Sequence, residues 1–99
     1  MNPEDIILQD MVDKTGSWAE ETFPRSTQSS VCAHLTREVQ ELSDNNTDVE
    51  EAADCMLLIF HLAYKNNWNL GKAIREKSAK NRSRLWNPPD DKGVCEHVK

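Results

Sequence analysis

Ninety-nine residues with 37% hydrophobic side chains describe one small all-α candidate domain, residues 1–99, with a thin core. A chain of this kind is expected to draw on a metal, a ligand or a partner subunit for stability. Seventeen Asp and Glu against twelve Lys and Arg give a net charge of -5, which argues against duplex nucleic acid as the main partner and leaves room for a phosphorylated ligand held through a cation.

Three glycines, four prolines and no alternating β-branched run predict helices throughout. Asn2 caps a first helix, with Pro3 at its first position and Glu4 and Asp5 near its positive end. Ile7, Met11 and Trp18 are its apolar positions, and Gly16 frays or ends it. Residues 22–28 form a loop. A second helix, capped by Ser29 or Ser30, carries Cys32, Leu35, Val39 and Leu42 as its apolar stripe. After a short connection at residues 44–46, Thr47 with Glu50 three residues later reads as a capping box that opens a third helix running to Tyr64 or Lys65.

The middle of that third helix, residues 55–60, is apolar all the way round. Such a helix must be surrounded, and in so short a chain this points to a homo-oligomer with the helix near its interface. Residues 66–69 break the pattern. A fourth helix from Leu70 to Leu85 ends at Pro88-Pro89, leaving residues 88–99 as a polar tail. No apolar run reaches the roughly 20 residues that cross a bilayer, so no membrane partner is expected. Three cysteines, Cys32, Cys55 and Cys95, cannot all pair within one chain, and no basic region leads into an apolar stretch at the start. A reducing cytoplasm is the expected setting.

Chemistry concentrates on the second and third helices. Glu38 and Glu41 lie three apart, as do Glu51 and Asp54, so each pair shares a helix face. Nine residues between Glu41 and Glu51 force an antiparallel hairpin, and four carboxylates then converge near one connection. Four anions repel one another unless cations intervene, and hard divalent ions, Mg²⁺ above all, suit oxygen ligands. Taken singly, either pair reads as solvated helix surface; the mirrored spacing across one tight turn favours a site. A ferritin-like di-iron centre would need Glu-x-x-His motifs, which are absent.

The fourth helix supplies the opposite sign. Lys77, Asn81 and Arg84 share one face, with Lys80 and Arg82 beside them. A basic helix surface serves solubility alone in many proteins; set opposite four carboxylates it reads as a polyphosphate clamp. His34, four residues before Glu38, is a candidate for contact with a base or phosphate. Trp18 and Trp68 are candidates for stacking on a purine, although the spacing of Trp18 suits a core position better. His61, two turns beyond Asp54, reads as structural or interfacial. Cys95-x-His97 with Cys32 and His34 matches no standard zinc spacing.

Glu38-x-x-Glu41 followed by Glu51-x-x-Asp54 resembles the doubled acidic signature of the MazG-like all-α nucleoside triphosphate pyrophosphohydrolases. Trp18 with Thr22-Phe23, His34-Leu35-x-Arg37-Glu38 and Glu76-Lys77-x-x-x-Asn81-x-x-Arg84-x-Trp86 are similar to the small dATP/dGTP pyrophosphohydrolase branch, whose phage members include the MazZ enzymes. The resemblance covers roughly residues 18–86. It implies a four-helix bundle that assembles as homodimers or homotetramers and hydrolyses a nucleoside triphosphate to the monophosphate and pyrophosphate with Mg²⁺, Mn²⁺ substituting. Glu38, Glu41, Glu51 and Asp54 would hold the metal, one of Glu38 and Glu41 would take a proton from the attacking water, and Lys77, Asn81 and Arg84 would hold the phosphates.

A deoxypurine triphosphate, dGTP ahead of dATP, is the substrate the branch implies. In phages that replace adenine with diaminopurine, such an enzyme would feed dGMP into that pathway, within the host cytoplasm. Two features depart from the branch. Thr22-Phe23-Pro24 stands where Thr-Phe-Gly is usual, which implies a stiffer loop, and the linker between the acidic pairs is short. The alternatives are a non-catalytic helical adaptor that binds a partner through the third helix, and a dCTP or dUTP hydrolase of the same superfamily.

Overall fold

The computed structural model describes residues 2–99, which form four helices: α1 (Pro3–Thr22), α2 (Gln28–Asp44), α3 (Val49–Asn66) and α4 (Leu70–Ser83). α1 begins as its sequence dictates, with the Asn2 side chain accepting the Glu4 N–H at 2.9 Å and Pro3 in the first turn. It does not stop at Gly16. That glycine is buried in mid-helix against α3, where a Cβ would collide with the Tyr64 ring. Its role is close approach of two helices rather than a break, so helix propensity yields to packing.

Two caps fall one or more residues from their expected positions. α2 is capped by Thr27, not by a serine: Thr27 Oγ1 accepts the Ser30 N–H at 3.0 Å and Ser30 Oγ accepts the Thr27 N–H at 2.8 Å, so Ser30 closes a capping box as its third residue. α3 is capped by Asp48, whose carboxylate accepts the Glu50 N–H at 3.0 Å, in place of Thr47. A carboxylate there adds charge complementarity to the helix dipole that a hydroxyl lacks. α3 ends on Asn67 in the left-handed region, at φ 54°.

α4 ends at Ser83, two residues before the expected Leu85, because Arg84 is already extended at ψ 154°. The polar tail then turns back on itself. The Asn87 N–H donates to Glu96 O at 2.8 Å and the Val98 N–H to Leu85 O at 2.9 Å, around a turn in which Gly93 takes φ 80°.

α3 lies between α1 and α2, while α4 packs on α1. The core is small: Val12, Phe60 and Ala63, flanked by Leu8, Tyr64 and Leu70. α4 is seated on α1 by an ion pair at 3.0 Å between Arg75 and the buried Asp5, and by Gly71 packed against the Asp5 backbone. The loop between α1 and α2 is tied to the end of α3 by Lys65 Nζ donating to Ser26 O at 2.9 Å and Gln28 Nε2 donating to Asn66 Oδ1 at 2.7 Å. The chain exposes 7548 Å², against the roughly 5,700 Å² expected for a compact monomer of this mass. Its radius of gyration is 15.7 Å, against about 13 Å for 100 compact residues.

Candidate functional site

The antiparallel α2–α3 hairpin brings one oxygen each of Glu38, Glu41 and Glu51 within 4.8 Å of one another. No Lys or Arg pairs with any of the three among the described residues. Glu38 Oε1 lies 3.1 Å from His34 Nε2, one turn earlier on α2; Glu38 Oε2 and Glu51 Oε2 are buried with no hydrogen-bond partner. Loss of hydration, and then the charges of Glu41, Asp48, Asp54 and Glu38, hold the Glu51 carboxyl above the usual carboxylate range. Orphaned carboxylate oxygens facing other carboxylates form a donor set that a divalent cation satisfies. Cys55, buried on the same helix, has its thiol pushed up by burial and by the same acids, so it stays protonated and the donor set is oxygen alone. That chemistry suits Mg²⁺ or Mn²⁺.

Asp54, expected as the fourth ligand, is not within this group of three. It lies one turn along α3 from Glu51 and, with Glu38, lines a cavity of about 1100 Å³ between α1, α2 and α3. Glu38 and Asp54 thus border a larger chamber, with Glu41 and Glu51 behind Glu38 outside its lining. Its walls include Trp18, Phe23, Val31, Leu57 and Leu58. Trp18 is 59% exposed at this cavity, edge-on to Phe23 with ring centroids 5.6 Å apart, so the helical spacing that suited it to a core is misleading. His34 lines the same cavity. Trp68 does not.

The basic stripe is elsewhere. Lys77 and Asn81 line a separate cavity of about 770 Å³ with Arg82 and Trp86, and no residue of α4 lines the chamber with the acids. The expected opposition of acid and base within one chain therefore does not form, because α4 packs on α1. Arg84, past the helix end, no longer shares a helical face with Lys77 and Asn81.

Sequence reasoning missed what does line the chamber. Arg25 and Arg37 border it, neither in an ion pair among the described residues. His61, 4% exposed, also lines it; its Nε2 lies 3.1 Å from Glu20 Oε1, whose carboxylate takes Lys65 Nζ at 2.7 Å. The hydrogen bond from Lys65, helped by that from His61, holds Glu20 below its usual range. Arg37 was legible as the residue beside Glu38. The Glu20–His61 contact spans 41 residues and leaves no local signal.

Residues 11–99 match the dATP/dGTP pyrophosphohydrolase family, and the chain belongs to that family. A dATP/dGTP diphosphohydrolase of Salmonella phage PMBT28 is 29% identical over 92 residues, which are 92% of this chain; the chain spans 31% of that relative's length. A solved structure, the MazG-like pyrophosphohydrolase of cyanophage S-2L bound to dGDP and three catalytic Mn²⁺ ions per active site, superposes with a TM-score of 0.80 at 28% identity. The match covers 93% of this chain and 97% of that one.

Proposed function

We propose that the chain is a divalent-metal-dependent pyrophosphohydrolase that converts a deoxypurine triphosphate, dGTP ahead of dATP, to the monophosphate and pyrophosphate. The observation that carries this reading is the trio Glu38, Glu41 and Glu51, paired with no Lys or Arg among the described residues, of which Glu38 opens onto an aromatic-walled chamber. The likeness to a pyrophosphohydrolase that binds dGDP and Mn²⁺ supports the nucleotide and the ion class.

In this reading Glu38, Glu41 and Glu51 hold the ions, with Asp54 closing the set from the chamber side. Bound Mg²⁺ or Mn²⁺ would supply an acidified water and charge neutralisation at the α-phosphate. One of Glu38 and Glu41 accepts the proton of the attacking water, and His34 orients Glu38 through the 3.1 Å contact. Arg25 and Arg37 meet phosphate charge from within the chain. Lys77, Asn81 and Arg84 contribute to phosphate binding only in an assembly, by reaching the site of a second copy. A homodimer or homotetramer is supported by the roughly 1,800 Å² of surface beyond that of a compact monomer and by exposed Met56 and Leu57 on α3. A role in feeding dGMP to diaminopurine synthesis belongs to the same proposal and rests on the family alone.

Pyrophosphate release from dATP, dGTP, dCTP, dUTP and dTTP, with and without Mg²⁺, tests the reading. Metal-dependent turnover of one or both purines is expected. Turnover of the pyrimidines alone would give the site to the dCTP or dUTP hydrolases. No turnover of any nucleotide would leave a helical adaptor.

A further inference from the structure

The end of the chamber remote from the acids carries a polar assembly that the metal chemistry does not use. Asp54 and His61 both line the chamber and lie seven residues apart on α3, about 10 Å along the helix axis at 1.5 Å per residue. Leu57 and Leu58 lie between them, with Trp18, Phe23 and Val31 among the other walls. A nucleotide whose α-phosphate sits at the acids is long enough to set its base two helical turns away. His61 is buried there, and so is Ser26 Oγ, which has no partner.

We propose that His61 is the specificity-determining residue for the base, accepting at Nδ1 an N–H from the purine's polar edge, with Glu20 and Lys65 as its positioning residues. The inference deepens the proposed hydrolysis and rests on it. A carboxylate can only accept, so the Glu20 contact at 3.1 Å requires Nε2 to carry the ring proton. Nδ1 of the neutral ring is then an acceptor and the only polar ring atom left for a ligand. Lys65 shares the same Glu20 oxygen: its Nζ lies 2.7 Å from Oε1 and donates to Ser26 O at 2.9 Å, which ties ring orientation to the loop that borders the chamber. The hydrogen bond from Lys65 keeps Glu20 ionised and therefore an acceptor. Adenine offers its 6-amino group and guanine its 1-NH and 2-amino groups to such an acceptor.

The test compares dATP and dGTP with the triphosphate of 2′-deoxynebularine, a purine nucleoside with no N–H on that edge. Wild type is expected to disfavour the analogue by about 10- to 100-fold in kcat/KM, expressed mainly in KM. His61→Gln keeps a donor for Glu20 but has no acceptor at the Nδ1 position, and its discrimination should collapse. His61→Asn, whose amide oxygen can occupy the Nδ1 position, should restore part of it. Glu20→Met, at a half-buried side chain, gives a second route: with no acceptor facing Nε2 the ring is no longer held in one tautomer, and the preference should weaken. A purely structural bridge would leave discrimination at the wild-type level in all three variants, and that result overturns the proposal. Wild type that turns over dATP or dGTP but accepts the analogue equally overturns it while sparing the hydrolase reading; wild type that turns over no nucleotide removes both.

Discussion

The two sides of the bundle hold their acids in opposite ways. Where α4 meets α1, Asp5 is buried and its charge is met by Arg75 at 3.0 Å, an interaction strong enough to raise the arginine further above its usual range. Where α2 meets α3, Glu38, Glu41 and Glu51 crowd together with buried oxygens unpartnered, and Glu51 is harder to ionise than usual. Both sites hold helix-borne carboxylates where two helices meet. The difference is whether the chain supplies the counter-charge. An acid matched by the fold holds elements together; acids left unmatched are destabilising for the chain alone and are retained where an external cation supplies the match.

The contrast breaks most sharply at Glu41, the exposed member of the trio. Glu41→Gln should lower metal-dependent pyrophosphate release by on the order of 10²- to 10³-fold, the scale for one charged group acting on a transition state. Helical circular dichroism should be unchanged, because no hydrogen bond or ion pair within the chain uses the Glu41 side chain among the described residues. Full activity in this variant would remove the acids from the mechanism.

On the other side the effect should be on stability and not on chemistry. Arg75→Ala leaves Asp5 buried without its partner, and urea unfolding should show a lower midpoint, by less than for a fully buried pair because Arg75 is 45% exposed. Asp5→Leu combined with Arg75→Leu should recover most of that loss, since two apolar side chains leave no unpaired charge. If the trio holds the ions as proposed, no such apolar replacement there would keep ion binding.

Glu51→Gln sharpens the comparison from within the trio. Its folded-state carboxyl titrates above the unfolded value, so the charged form opposes folding once the pH exceeds that range. In chelator at neutral pH the variant should therefore be more stable than wild type. The advantage should fade as the pH falls below the ordinary carboxylate range, where both states are protonated. Addition of Mn²⁺ should raise the melting temperature of wild type and leave the variant unmoved. A variant that is less stable than wild type in chelator would show that the acids are compensated within the fold.

Much of this was legible beforehand, for a local reason. The four helices follow from caps, apolar spacing and breakers, all of which lie within a few residues of the element they specify. The acidic trio was readable because two pairs on one hairpin meet whatever the rest of the chain does. What failed depended on distant packing. Gly16 looks like a break until Tyr64, 48 positions later, is placed against it. The stripe on α4 looks like a partner for the acids until α4 is found on α1. Trp18 has core spacing, yet with Phe23 edge-on beside it, it stays 59% exposed.

Glu20 lies between the two extremes, and the smallest effect is expected there. Its carboxylate is met by Lys65 at 2.7 Å and His61 at 3.1 Å, but it is 35% exposed, so solvent screens part of the interaction. The lowered carboxyl means that ionisation favours the folded state: the contribution is present above the unfolded value and is lost as the pH falls through the folded one. Glu20→Gln should therefore unfold slightly more easily than wild type at neutral pH, with the difference closing below the ordinary Glu range. Because Lys65 also holds Ser26 O, the variant should loosen the loop at residues 23–27 as well, read as faster amide exchange there. A variant whose stability matches wild type at every pH, with the loop equally protected, would place Glu20 among ordinary surface acids.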